Sequence, residues 1–400
     1  MKILNVSYTL DAVHGGGVAE RSFQMSRALA AAGQQVSLLT LDRGIDGQRR
    51  QQLSDVELVA LPCRNRRFYL PRGGRAEIGR LVAEADVVHL MGHWNILNVL
   101  AAKAARKFQR PYVVCPAGEL QIFGRSRLLK NCFNRIVGRR IVADAAAWIA
   151  VTGQETGQFF PYGVAPDAVT VIPNGIDPAD FAAADGAEFR RENGLSSQPL
   201  VLFMGRLNPI KGPDLLLEAF LAVRRKFPEC QLAFAGPDGG MLNGLRELAA
   251  STAAPASTSV PGSTPAAPAN GNAAEAGRIH FLGWIGGDDR SRAYHAADLL
   301  VIPSRQEAMS IVVLEAGICG TPVLLTDQCG FDDVEQAGGG LVVPATSVGL
   351  EAGLSRLLAA PGQLPGMGRQ LQQFVQSRFC WGSIVQRYLD LYGPLVRKAG

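Results

Sequence analysis

Four hundred residues, 47% of them hydrophobic and 19% charged, are more than one core usually fills, so two ordered globular domains are expected and a disordered or fibrous chain is excluded. The net charge is +5, with the cation excess in residues 1–180, which points to an anionic partner there: a phosphate-bearing acceptor, a membrane surface or a nucleic acid. Seven scattered cysteines without a C-x-x-C pair imply thiols in a reducing, cytoplasmic compartment and no metal site; no apolar stretch is long enough to span a membrane, and the start is a strand, not a signal peptide.

Short apolar runs alternate with helical ones. Strands are expected at 2–7, 35–40, 56–61, 86–90, 112–115, 146–151 and 169–172, with helices near 18–32, 75–84, 95–108 and 153–160. This alternation builds βαβ units: an α/β fold with a parallel sheet and helices on both faces. The first strand leads to Gly15-Gly16-Gly17 and a helix. Glycines at a helix start let a backbone approach an anion, but would equally serve a flexible turn. The loop is not G-x-G-x-x-G, which argues against a nicotinamide dehydrogenase.

The run D-V-V-H-L-M-G-H-W-N (86–95) ends a strand and places His93 in the loop beyond it. Ligands sit beyond the carboxyl ends of strands in open α/β sheets, so His93 is a candidate contact, and His89 a satisfied residue of the strand end. Glu119 follows the strand YVVC. A basic segment comes next, with Arg125, Arg127, Lys130, Arg135, Arg139 and Arg140 around Leu128, Leu129, Phe133, Ile136 and Val137 at helical spacing. Glu119, Arg125 and Arg127 are the candidate acceptor-binding residues. The segment suits an anionic membrane surface or a phosphate-linked acceptor; a helix with a solvated charged face fits as well. Arg64, Arg66 and Arg67 form a second basic cluster. No nucleic-acid reader motif accompanies these cations, so a nucleic-acid partner is not expected.

Turn signals in V-I-P-N-G-I-D-P (171–178) mark a boundary: an N-terminal domain 1–173, then a C-terminal domain 174–380 and a terminal helix 381–400. Strands resume at 199–205, 231–236, 278–283, 298–302 and 322–326. Residues 251–276, almost all Ala, Ser, Thr, Pro, Gly and Asn, are expected to be a disordered insertion. In G-R-L-N-P-I-K-G (205–212), Arg206 and Lys211 flank a strand-to-helix turn. Two cations there suit a departing diphosphate, since a lysine at a helix N-terminus opposes the dipole unless an anion is present. A planar base would lie against Gly283, Trp284 and Ile285 through backbone groups. Glu307 and Glu315 lie eight positions apart, the second within a helix, with Met309, Ser310 and Ile311 supplying amides between them. A helix-dipole acid and a surface glutamate would give the same spacing.

The glycine loop, V-I-P-N-G-I-D, G-R-L-x-x-x-K-G, and E-x7-E followed by A-G-x-x-G-x-P-V occur in this order. Together they resemble the retaining nucleotide-sugar glycosyltransferases of the GT-B fold, family 4 group, over nearly the whole chain. The resemblance implies two Rossmann-like domains facing across a cleft, with the donor held mainly by the second, the acceptor by the first, and the terminal helix crossing back. It assigns Arg206 and Lys211 to the donor diphosphate, Glu307 to donor sugar hydroxyls, Glu315 to the ribose, and the amides of Met309, Ser310 and Ile311 to sugar or phosphate. Gly16 and Gly17 would close over the phosphate, and His93 would border the transferred sugar. The chain has Glu307-Ala308-Met309-Ser310 where the family often has Glu-Gly/Pro-Phe-Gly, and Met91 where it often has the second His of H-x-H.

The expected reaction is hexose transfer from a UDP- or GDP-linked donor, with retained configuration, to a glycan or polyprenyl-diphosphate-linked oligosaccharide at the inner membrane face, in exopolysaccharide, capsule or lipopolysaccharide assembly. No D-x-D sequence occurs, so neither a cofactor nor a metal is expected. A GT-B nucleotide-sugar epimerase and a non-catalytic nucleotide-sugar- or glycan-binding scaffold are the alternatives.

Overall fold

The computed structural model describes residues 1–65, 68–122, 126–251 and 278–399. Arg66, Arg67, Arg125 and nearly all of the 251–276 insertion lie outside the described residues. The chain forms two α/β units: Met1–Asp177 with Arg378–Gly400, and Pro178–Ser377.

The strands, in chain order, are β1 (Lys2–Val6), β2 (Gln35–Leu41), β3 (Glu57–Leu61), a small hairpin of β4 (Cys63–Asn65) and β5 (Leu70–Pro71), β6 (Val87–Met91), β7 (Tyr112–Cys115), β8 (Ala147–Ala150) and β9 (Val169–Val171) in the first unit. The second unit contributes β10 (Leu200–Met204), β11 (Gln231–Ala235), β12 (Ile279–Gly283), β13 (Leu299–Ile302), β14 (Val323–Thr326) and β15 (Gly340–Val343). The first sheet has the order β3-β2-β1-β6-β7-β8-β9 and the second β12-β11-β10-β13-β14-β15. Every pairing in both sheets is parallel. Helices cover such sheets, so central strands are apolar throughout: all of VVHLM in β6 and LLVI in β13 is buried.

Leu4, Leu39, Val88 and Leu90 lie in the first core, and Val201, Phe203, Phe234 and Leu324 in the second. Burying each such side chain contributes about 1.5–3 kcal/mol. Each sheet reverses its strand order once, between β1 and β6 and between β10 and β13. Connections there leave toward opposite faces and open a crevice beyond the carboxyl ends of the strands. Gly16, Gly17 and His93 follow β1 and β6; Arg206, Lys211 and Glu307 follow β10 and β13.

The terminal helix Trp381–Ala399 belongs to the first unit. Its anchor is Arg21, 1% exposed on the helix Gly16–Ala31. The Arg21 guanidinium donates to the Tyr388 hydroxyl (2.6 Å), Asn174 Oδ1 (2.7 Å) and the Ile172 carbonyl (2.7 Å). His89, wholly buried, pairs its Nδ1 with the Tyr392 hydroxyl at 2.5 Å. Among the described residues, no helix is long and apolar enough to cross a membrane.

Candidate active site

In the second unit, β10 and β11 are each followed by a glycine, and the two glycines touch. A Cβ on Gly236 would lie 1.9 Å from the Gly205 carbonyl oxygen, so only glycine permits this approach. The chain then turns, with Arg206 beside Gly239 and Lys211 just before Gly212, the N-cap of the helix Pro213–Val223. The Lys211 amide is pinned by Asn208, to its carbonyl at 3.1 Å and its Oδ1 at 3.0 Å.

The Lys211 ammonium lies 2.9 Å from Glu307 Oε1. Ser304 Oγ donates to the same oxygen at 2.5 Å, and the Glu307 amide donates to the Gln328 carbonyl at 2.8 Å. The Glu307 side chain is 9% exposed and that of Lys211 33%. An ammonium has three N–H donors, so the contact to Glu307 leaves Lys211 with capacity for a phosphate.

The helix Ile311–Ile318 begins immediately after this loop. The Ser310 amide donates to the Cys329 carbonyl at 3.1 Å, so among Met309–Ile311 that N–H already has a protein acceptor. The helix therefore presents the amides of Ile311 and Val312, since Val313 donates to the Ser310 carbonyl at 3.3 Å. Ser310 is fully buried, and its hydroxyl has no hydrogen-bond partner among the described residues. The Met309 side chain is buried, which leaves only its backbone as a contact.

Glu315 is 4% exposed. Its Oε2 accepts the Tyr294 hydroxyl at 2.5 Å, and its Oε1 lies 3.3 Å from the Arg290 guanidinium. Burial and the adjacent carboxylate raise the Tyr294 phenol far above its usual range, so it remains a donor. Carboxylate oxygens each hold two lone pairs, and both can accept a further hydroxyl. At the end of β12, Gly283 adopts a left-handed φ of 74° and accepts the Gly236 N–H at 2.6 Å. Trp284 is half exposed next to it, and Ile285 is partly buried. Ser304, Tyr294 and Arg290 were not identified from sequence. Tyr294 and Arg290 share the helix Asp288–Ala296, 21 and 25 positions before Glu315, and only Ser304, three positions before Glu307, lies close in sequence to the glutamate it bonds.

In the first unit, Gly16 (φ 62°) and Gly17 are exposed at the start of the helix Gly16–Ala31. His93 is 3% exposed and packed edge-on against Trp94, Phe133 and Tyr162, with ring centroids 4.6, 5.6 and 5.5 Å away. Its amide donates to Glu119 Oε2 at 2.6 Å, and its Nε2 lies 2.9 Å from Asn134 Oδ1. Burial pushes the imidazole down to about 4 against the Asn134 bond, so His93 is neutral at pH 7. Glu119 also accepts the Tyr8 hydroxyl at 3.0 Å. Burial raises its carboxyl, opposed by the His93 N–H. Glu119 thus braces the His93 loop from beneath.

Arg127 stands exposed in the first turn of the helix Arg127–Phe133, and Arg125 lies outside the described residues. That helix continues through a π-helical turn, Asn134–Gly138, into Arg139–Ala143. Phe133 and Val137 pack inward while Leu128, Leu129 and Ile136 face solvent at 85%, 57% and 70% exposure. Beside it lies a cavity of about 870 Å³ lined in part by Asn134, Arg135, Arg139 and Tyr162.

Comparison with known proteins gives matches in both units. Residues 198–360 match the model of the glycosyl transferases group 1, and residues 16–175 that of the glycosyl transferase 4-like domain. The D-inositol 3-phosphate glycosyltransferase of Salinispora arenicola is 31% identical over 82% of this chain and 72% of its own length. Of three other proteins of that name the chain spans only 56–66% of the length. Anabaena HepE in complex with UDP-glucose superposes with a TM-score of 0.76 at 19% identity, over 98% of this chain and 100% of that one. WaaG, a glycosyltransferase involved in lipopolysaccharide biosynthesis, gives 0.66 at 19% identity, over 98% and 99%. At such identities these structures speak for the fold. With both doubly wound sheets matched by family models, the chain belongs to the GT-B glycosyltransferases of group 1, the family 4 group.

Proposed function

We propose that the protein transfers a hexose from a UDP- or GDP-linked donor to a hydroxyl acceptor with retention of anomeric configuration. The observation that carries this reading is Lys211 bound to Glu307 at 2.9 Å, beside the first turn of the helix Ile311–Ile318. Arg206, Lys211 and the helix amides neutralise the diphosphate as its bond to the sugar breaks. Glu307 takes the sugar hydroxyls and Glu315 the ribose. No carboxylate is assigned as a nucleophile: the departing phosphate accepts the acceptor's proton in a front-face displacement. The HepE complex supports a nucleotide-sugar donor by likeness of fold.

The first unit binds the acceptor. Exposed Leu128, Leu129 and Ile136 among the cations of 127–140 favour an acceptor presented at an anionic membrane surface. That would suit a lipid-linked glycan; the relatives named for inositol 3-phosphate favour a phosphorylated polyol instead.

A panel of nucleotide sugars should yield one that raises the melting temperature and is slowly hydrolysed. Proton NMR of the transfer product should show the donor's anomeric configuration, and EDTA should leave the rate unchanged. Glu315→Ala should lower turnover sharply with a native circular dichroism spectrum. Normal turnover in that variant, or an inverted product, would overturn the reading. Salt-sensitive binding to vesicles containing anionic lipid would support the membrane role, and indifference to vesicles would remove it.

A further inference from the structure

Arg305 ties together the two loops that carry Lys211 and Glu307. It stands two residues before Glu307, in the loop between β13 and the helix Ile311–Ile318. Its backbone amide donates to the Ile210 carbonyl at 2.7 Å. Its guanidinium donates through Nη1 to the Pro209 carbonyl at 2.8 Å and to Asp214 Oδ1 at 2.9 Å, and through Nη2 to Asp214 Oδ2 at 2.6 Å. Asp214 lies in the first turn of the helix Pro213–Val223. One residue thus grips the chain on both sides of Lys211: Pro209 and Ile210 before it, Asp214 after it.

The two backbones also meet here. Gly212 has a φ of 66°, and a Cβ on it would lie 2.1 Å from the Pro303 carbonyl oxygen, so no side chain fits between the Lys211 turn and the start of the Glu307 loop. On its other side the Glu307 loop is fixed to the segment after β14. Thr326 Oγ1 donates to the Ser304 carbonyl at 2.5 Å, and a Cβ on Gly330 would lie 2.1 Å from the Ala308 carbonyl oxygen. Held on that side, the Glu307 loop is a fixed support, and Arg305 registers the Lys211 turn against it.

Stability is not the main contribution of this contact. The Arg305 and Asp214 side chains are 36% and 29% exposed, and an ion pair so open to water adds little to folding. A guanidinium fork on a carboxylate does fix distance and angle, because two parallel N–H bonds permit one geometry. Burial raises the Asp214 carboxyl, but its bonds to Arg305 and to backbone amides outweigh this and hold it below the usual carboxylate range, so the fork stays ionised at pH 7.

We propose that Arg305 is a positioning residue: through Asp214 and Pro209 it sets the spacing of Lys211 and Glu307 on which sugar transfer depends. The functional half of this statement rests on reading Lys211 and Glu307 as donor contacts; the clamp itself does not.

The test combines hydrogen exchange with hydrolysis of UDP-glucose and GDP-mannose by the full chain. Arg305→Ala should raise deuterium uptake in 205–214 and 303–310 together. It should lower kcat by about 10- to 100-fold with the donor KM within about threefold, as a misplacement of about 1 Å in a charge stabiliser does. Arg305→Lys, which keeps the charge and loses the fork, should fall between Arg305→Ala and the wild type. Asp214→Ala/Arg305→Ala should be no slower than the slower single variant, because the two side chains act as one unit. All variants should melt close to the wild type, which shows that they have folded. Unchanged exchange in the two segments, an unchanged kcat in Arg305→Ala, or a loss of rate that merely follows the fraction unfolded would overturn the proposal. A wild type that turns over neither donor, with both segments loosened in Arg305→Ala, would count against glycosyl transfer and leave the clamp standing.

Discussion

Lys211 Nζ and Glu307 Oε1, 96 positions apart in the chain, meet at 2.9 Å between the carboxyl ends of two adjacent parallel strands. The pair holds the lysine over the switch point and keeps a mostly buried carboxylate from standing alone. Lys211→Ala should therefore have two effects. Turnover should fall by about 10²–10³-fold, as for loss of one preorganised charge stabiliser. Stability should fall by about 1–3 kcal/mol, because Glu307 loses its partner. Adding Glu307→Gln should recover part of the stability but none of the activity. Urea unfolding of the double-mutant cycle, run beside a transfer assay, checks both effects.

Tyr294 fixes Glu315 from a neighbouring helix. Tyr294→Phe keeps the packing and removes one hydrogen bond to a carboxylate, which is worth about 1.5–3 kcal/mol. The donor KM should rise by about tenfold or more, with a smaller change in kcat, since the phenol never touches the reacting atoms. Steady-state kinetics with varied donor distinguishes this from a general loss of activity.

The buried histidines make stability pH-dependent with a definite sign. His93 is depressed to about 4 and His89 to about 3, both chiefly by burial, against about 6.5 in the unfolded chain. Below pH 6.5 the unfolded chain therefore binds more protons than the native one. Stability is complete above that pH and is lost on descent toward pH 4, at up to about 1.4 kcal/mol per pH unit for each histidine. Urea midpoints at pH 5 and pH 7.5 should differ less for His93→Gln than for the wild type.

Arg21 ties the terminal helix to the segment 172–174. Arg21→Met should cost about 1–3 kcal/mol or somewhat more, because it leaves buried neutral acceptors without their donor. Limited proteolysis should then release the helix Trp381–Ala399 first. Tyr388→Phe, which removes one of three contacts, should cost about 1–2 kcal/mol and leave the helix protected.

Gly138 tests the π-turn. Gly138→Ala puts a methyl against Asn134 and His93 and should cost about 1–3 kcal/mol, as overpacking does. Its melting temperature should drop by several degrees, whereas Gly157→Ala, where nothing lies within 4 Å of a new Cβ, should change little.

The strand ladder was legible in the sequence because parallel strands between helix layers are uniformly apolar and bounded by glycine, proline and polar turns. Strand β15 was not: Gly340–Val343 follows two further glycines and supplies four residues at a sheet edge, too short a run to stand out. The motif residues could also be placed. Gly205, Arg206 and Lys211 must follow β10, and Glu307 must follow β13, so strand order alone brings them to one switch point.

Sequence could not say what those residues hold. Lys211 on Glu307, Tyr294 on Glu315 and Asn134 on His93 join elements 96, 21 and 41 positions apart. Local spacing constrains neighbours within a few residues, because one helical turn or one strand repeat is as far as a side chain reaches. Longer pairings depend on which strands lie side by side and which glycines allow backbones to touch. The sequence by itself determined two doubly wound sheets and which loops lie beyond the carboxyl ends of their strands. Only the tertiary structure decided that Glu119 braces a histidine, that Ser310 commits its amide to Cys329, and that a cationic cavity opens beside His93, since each depends on contacts that form when distant segments pack.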